Sequence, residues 1–101
     1  MKFNNYAYLF LGPNLNPKEH RATIKTDQLT YTTVGMDFLN KEAVLEIAKE
    51  LVANGAQMIE LCGGFGPLWI TKVSEALQFK IPVGGVFYGP EARKSMLDLL
   101  S

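Results

Sequence analysis

A chain of 101 residues with 48% hydrophobic content has the length of one domain and the apolar side chains for one core. Ten basic and ten acidic residues cancel to a formal net charge of zero and neither sign gathers into a run, so the electrostatic footprint of a nucleic-acid or anionic-membrane binder is missing. The single cysteine, Cys62, cannot staple its own chain, which fits a reducing compartment, and the absence of a large net charge favours self-association into a homo-oligomer.

The first predicted element is a strand over 6–11, Tyr-Ala-Tyr-Leu-Phe-Leu, whose almost continuous apolar run suits a strand covered on both faces. It is too short for a membrane span and carries no cleavage pattern, so a cytoplasmic protein is expected. Gly12-Pro13 ends it. The stretch that follows is punctuated by Pro13, Asn14, Asn16 and Pro17 and begins as a loop. Asn16 can cap one or two helical turns carrying His20 and Arg21, with Pro17 in the first position and Glu19 reaching back. A hairpin over 22–31 is the rival reading, because Thr and Ile favour strands. Residues 30–36 read as the second strand.

From 41 to 53 the pairs Ala43/Val44, Ile47/Ala48 and Leu51/Val52 recur every four residues and predict a helix, capped by Asn40 and ended by Gly55. A strand over 57–62 follows, then a helix over 67–79 with Trp69, Ile70, Val73, Ala76 and Leu77 inward. A last strand over 82–88 leads to a closing helix over 90–100 with Ala92, Met96, Leu99 and Leu100 inward. The order β-β-α-β-α-β-α predicts an α/β domain, a mostly parallel sheet of about four strands with helices packed on it and right-handed crossovers. The direction of the first strand is left open. The carboxyl ends near Cys62 and Tyr88 share one sheet edge.

That edge is where the chemistry-bearing residues collect. In 58–67 an apolar strand ends in Glu60 and Cys62, three glycines follow within four residues, and Pro67 opens a helix. The carboxyl end of a parallel strand and the amino end of the next helix form the crevice where ligands bind, and exposed N–H groups there favour an anion. Gly63, Gly64, Phe65 and Gly66 are the candidate ligand loop. It lacks the lysine and spacing of a P-loop and the full dinucleotide fingerprint, and a tight turn that binds nothing uses the same glycines.

Glu60, inside an apolar run, suits an acid or base whose pKa is raised by burial; a structural hydrogen bond to Arg21 or Arg93 is the alternative. Cys62, just before a helix start, suits a nucleophile, against the reading of a small buried hydrophobe. His20 can exchange a proton and Arg21 can clamp an anion, or both are a solvated surface pair. Gly84 and Gly85 in the last strand mark a bulge or a close backbone approach; if that strand neighbours the one ending at Cys62, they bound the same cavity with Tyr88 at its rim, and packing against a bulky neighbour such as Trp69 or Phe65 explains them equally well. One His and one Cys do not make a zinc site, and no cofactor signature is read.

The segment Glu60-Leu61-Cys62-Gly63-Gly64-Phe65-Gly66-Pro67, with Phe10-Leu11-Gly12-Pro13, His20-Arg21 and Pro82-Val83-Gly84, resembles a family of small prokaryotic proteins classed as a domain of unknown function. The resemblance spans essentially the whole chain and implies a stand-alone module with no inherited substrate. The strand-Gly-Gly-Phe-Gly-helix element also looks like one βα unit of a phosphate-binding barrel, a likeness of local structure alone. The leading expectation is a binder of a small anionic metabolite at the glycine loop, with acid–base chemistry by Glu60. The other is a non-catalytic structural or protein-interaction module that oligomerises through Leu68, Leu97 and the last helix.

Overall fold

Burial along the first strand sets the architecture. In the computed structural model, which describes residues 1–101, β1 (Asn5–Gly12) buries Ala7, Leu9 and Leu11, while Tyr6, Tyr8 and Phe10 between them stay half-exposed. The expected cover on both faces is therefore corrected: one face is dry and the other is aromatic and partly wet, so that an apolar sequence run hides a two-sided strand.

The chain next forms the hairpin of β2 (Arg21–Lys25) and β3 (Thr30–Asp37), the rival of the short helix. Asn16 still organises a turn. Its Oδ1 accepts from the Lys18 N–H at 2.9 Å and its carbonyl from the N–H groups of Glu19 and His20. The place expected of Glu19 is taken by His20, whose Nδ1 accepts from the Asn16 N–H at 2.7 Å. The chain then leaves for β2, where β-branched Thr23 and Ile24 pair with Thr32 and Tyr31.

The remaining elements are α1 (Ala43–Ala53), β4 (Ile59–Leu61), α2 (Gly66–Ala76), β5 (Val83–Gly85) and α3 (Arg93–Leu100). The strands lie in the order β2-β3-β1-β4-β5, with β2 antiparallel and the rest parallel. The mostly parallel α/β sheet is thus as expected, with a fifth strand from the hairpin, and β1 runs with its neighbours. The crossovers β3-α1-β4 and β4-α2-β5 advance across the sheet in the same direction, so a common right hand puts both helices on one face. That face carries the core, including Leu9, Met36, Ile59, Leu61, Val44 and Val73. Each such side chain, fully buried, contributes roughly 1.5–3 kcal/mol.

Helix ends follow local chemistry more than the expected caps. Asn40 does not cap α1. Asp37 caps a preceding 3-10 turn instead, accepting from the Leu39 N–H at 2.8 Å and from the Asn14 N–H at 2.8 Å. Gly55, at φ 106°, does end α1: its N–H reaches Val52 O and that of Ala56 reaches Leu51 O, a Schellman closure. The last strand stops at Gly85, short of the expected Tyr88. Met96 on α3 and Ala92 in the 3-10 turn before it are half-buried, but Leu99 and Leu100, expected inward, are exposed, because the helix lies at the sheet's end and not on its core face. No helix is long and apolar enough to cross a membrane.

Candidate functional site

The glycine loop is built from both ends. β4 delivers Cys62, whose N–H donates to Leu9 O at 2.9 Å and whose Sγ accepts from the Leu11 N–H at 3.3 Å. The Phe65 N–H returns to Cys62 O at 3.1 Å and closes the turn. Phe65 itself is 5% exposed and sits edge-on to Trp69, 6.2 Å between centroids. It anchors the loop in the core and presents no surface to a ligand. Gly66 takes φ 78°, a conformation only glycine adopts without cost, and Pro67 fits the first turn of α2, where no N–H is needed. The N–H groups of Gly63, Gly64 and Gly66 find no acceptor within the chain.

Beside this loop lies a pocket of about 240 Å³ whose wall is Leu11, Phe38, Cys62, Tyr88, Met96 and Leu100, with Gly63 and Gly64 as its polar edge. Gly63 is there to admit the Tyr88 ring: a β-carbon at Gly63 would stand 2.8 Å from its Cε2. A cation is held at the loop: Lys41 Nζ donates to Gly64 O at 3.1 Å. Sequence reasoning missed Lys41, reading it only as the start of a helix. The available signal was topological, since β3 is parallel to β4 and the segment leaving it starts at the same edge.

The structure brings Cys62, Gly63, Gly64 and Tyr88 together on the pocket, keeps Phe65 and Gly66 in the same loop but off its lining, and separates the rest. Glu60 pairs in register with Tyr8 and Gly84 on the sheet face opposite the helices, where it is exposed and has no ionic or hydrogen-bonded partner. The burial from which its acid–base role was argued is absent, because its place in the strand alternation turns it away from the core. The Tyr8 hydroxyl has its pKa raised, first by burial and then by Cys62, Tyr88, Tyr31 and Glu60 around it.

Gly84 and Gly85 lie in a regular strand with no bulge. Gly85 admits Ile70 of α2, whose Cδ1 would be 2.8 Å from a β-carbon there, and Gly84 faces open space. His20 is exposed and tied to Asn16. Arg21 is spoken for on the helix side: Nε donates to Pro17 O at 2.8 Å, and the guanidinium fork donates to both Glu50 oxygens at 2.6 and 3.3 Å. The Arg21 hydrogen bond is the main reason the Glu50 carboxyl lies below its usual range, with desolvation opposing and the guanidinium charge assisting. This pair lines a separate groove of about 250 Å³ with Thr23 and Lys25. No three His, Cys, Asp or Glu side chains converge to hold a metal.

With that geometry in place, the chain belongs to a family of unknown function (DUF6506), whose model matches residues 4–101, as the glycine segment and its companions suggest. No curated protein and no solved structure matches it. The family carries no assigned activity, so function rests on the site itself.

Proposed function

We propose that the chain binds a small metabolite with an anionic end and an apolar body at the Gly63–Gly66 loop. The observation that carries this is the juxtaposition at one sheet edge of three N–H groups without acceptors, a lysine ammonium and an apolar pocket. The N–H groups and the adjoining start of α2 favour negative charge. Lys41 supplies the cation that sequence reasoning had sought in Arg21, and Leu11, Phe38 and Met96 favour a hydrocarbon part. At about 240 Å³ the pocket falls below the roughly 300–1,000 Å³ of drug-sized sites, which points to a ligand of few atoms. Glu60 has no part in this reading, since it stands on the other side of the sheet.

The test is thermal melting of the purified chain against small carboxylates, phosphates and sugar phosphates, with Lys41→Met alongside. A ligand at about 100 times its dissociation constant stabilises by roughly 2.7 kcal/mol, on the order of 10 °C for a domain of this size. A shift confined to one anion class, and largely lost in Lys41→Met while the unliganded midpoint stays, is the expected result. A flat panel, or equal shifts in both proteins, would sink the proposal.

A further inference from the structure

We propose that a second copy of this chain packs on the sheet face opposite α1 and α2, making a dimer in which two sheets meet face to face. Area gives the first argument. The surface–mass relation of folded monomers gives about 5,700 Å² for 11.2 kDa, whereas this chain exposes 6787 Å². The excess, about 1,100 Å², is comparable with the roughly 800 Å² that each partner buries in a stable dimer of standard size.

The sequence pattern locates the interface. The uncovered face carries Tyr6, Tyr8 and Phe10 on β1, Tyr31 on β3 and, in register with Tyr31, Ile24 on β2. Ile24 is 61% exposed. The rings are already in contact with one another: Tyr6 and Tyr31 are 4.8 Å apart between centroids, and Tyr8 stacks on Phe10 at 6.5 Å and 15°. An ordered aromatic layer loses little side-chain entropy on docking, and aromatic enrichment with few charges is the composition of an interface core. Across the three central strands only two carboxylates share this face, Glu60 opposite Tyr8 and Asp37 at the far end of β3, where it is occupied in capping the following turn. A sheet with apolar character on both faces is stable when both are covered, and two such faces pack about 10 Å apart.

The partner is a second copy: with zero net charge there is no overall repulsion to keep two copies apart, and a two-fold axis lets one patch serve both sides. The inference does not depend on the loop reading, since the pocket opens at the carboxyl edge of the sheet and the dimer face spans the strands themselves.

Sedimentation equilibrium of the full chain over roughly 1–100 μM tests it, with far-UV circular dichroism as the check on folding. Wild type is expected at twice the 11.2 kDa chain mass. Ile24→Lys and Tyr8→Lys each weaken the dimer by about tenfold or more with the spectrum retained, and Leu99→Lys on the exposed part of α3 leaves it intact. Ile24 is exposed enough that its substitution decides the matter if Tyr8→Lys unfolds. A monomer at the highest concentration, a dimer indifferent to Ile24→Lys, or one broken only by Leu99→Lys would overturn the proposal, the last assigning the contact to α3.

Discussion

The Tyr88 ring lies so close over Gly63 that a β-carbon at Gly63 would meet its Cε2 at 2.8 Å. Gly63 does not need positive φ, so Gly63→Ala acts through contact alone. The ring is exposed and can swing away, which keeps the expected cost near the low end of overpacking, about 1 kcal/mol, or roughly 4–8 °C in the midpoint. Removing the ring should remove the conflict: Tyr88→Ala in the Gly63→Ala background is expected to cost less than Tyr88→Ala in wild type. A double-mutant cycle with no coupling would show that the two residues do not share this contact.

Gly66 and Gln78 stand in the same left-handed region, φ 78° and 57°, with opposite residue choices. Nothing lies within 4 Å of a β-carbon at Gly66, so Gly66→Ala is expected to cost backbone strain only, about 1–2 kcal/mol, with Asn milder than Ala. Gln78 closes α2 through its N–H to Glu75 O, with the Phe79 N–H to Ser74 O, a position that ordinarily takes glycine. Gln78→Gly should therefore gain about 1 kcal/mol and raise the midpoint by several degrees. Urea melts of both variants give the comparison; a destabilised Gln78→Gly would mean that side-chain contacts outweigh backbone strain there.

The Arg21–Glu50 pair makes a pH-dependent contribution whose sign follows from the lowered Glu50 pKa. A carboxyl held below its ordinary value binds its proton more readily in the unfolded chain. The pair's contribution is therefore complete above the ordinary value of 4.5 and is lost as pH falls through the folded value. Glu50 is 42% exposed at the side chain, so Glu50→Gln should cost only about 0.5 kcal/mol at neutral pH. Stability of wild type and Glu50→Gln measured from pH 7 to pH 3 should converge at the acid end. A constant gap would assign the loss to packing.

The mostly parallel α/β class and the glycine edge were legible in the sequence because they rest on local signals: β-branched runs, a four-residue apolar period, and glycine followed by proline. What stayed hidden depended on which way alternate residues face. Tyr6, Tyr8 and Phe10 bring large apolar rings into the same run as Ala7, Leu9 and Leu11, so composition could not show that one set would be only partly buried. Glu60 was misread for the same reason: its apolar neighbours Ile59 and Leu61 are fully buried while it is exposed. Arg21 was aimed at the crevice by charge alone, but its partner Glu50 lies 29 positions away, beyond any local pattern. Lys41 reached the site only through the topology that brings β3 and β4 to the same edge.

Cys62 joins the backbone of the sheet to the pocket, which separates its structural role from any chemical one. Its Sγ is the acceptor for the part-buried Leu11 N–H. A serine hydroxyl can replace that acceptor and an alanine methyl cannot. Leaving a buried donor unpaired costs roughly 1–3 kcal/mol, so Cys62→Ala is expected to melt below Cys62→Ser despite having the more apolar side chain. The same thiol lines the pocket wall, and an anion seated at the loop should slow its alkylation by iodoacetamide in proportion to occupancy. Melting of the two variants and labelling of wild type with and without ligand read the two roles independently. If Ala proves the more stable replacement, the sulfur is a packing group and the Leu11 N–H is satisfied otherwise; if labelling ignores a ligand that raises the melting point, that ligand sits elsewhere.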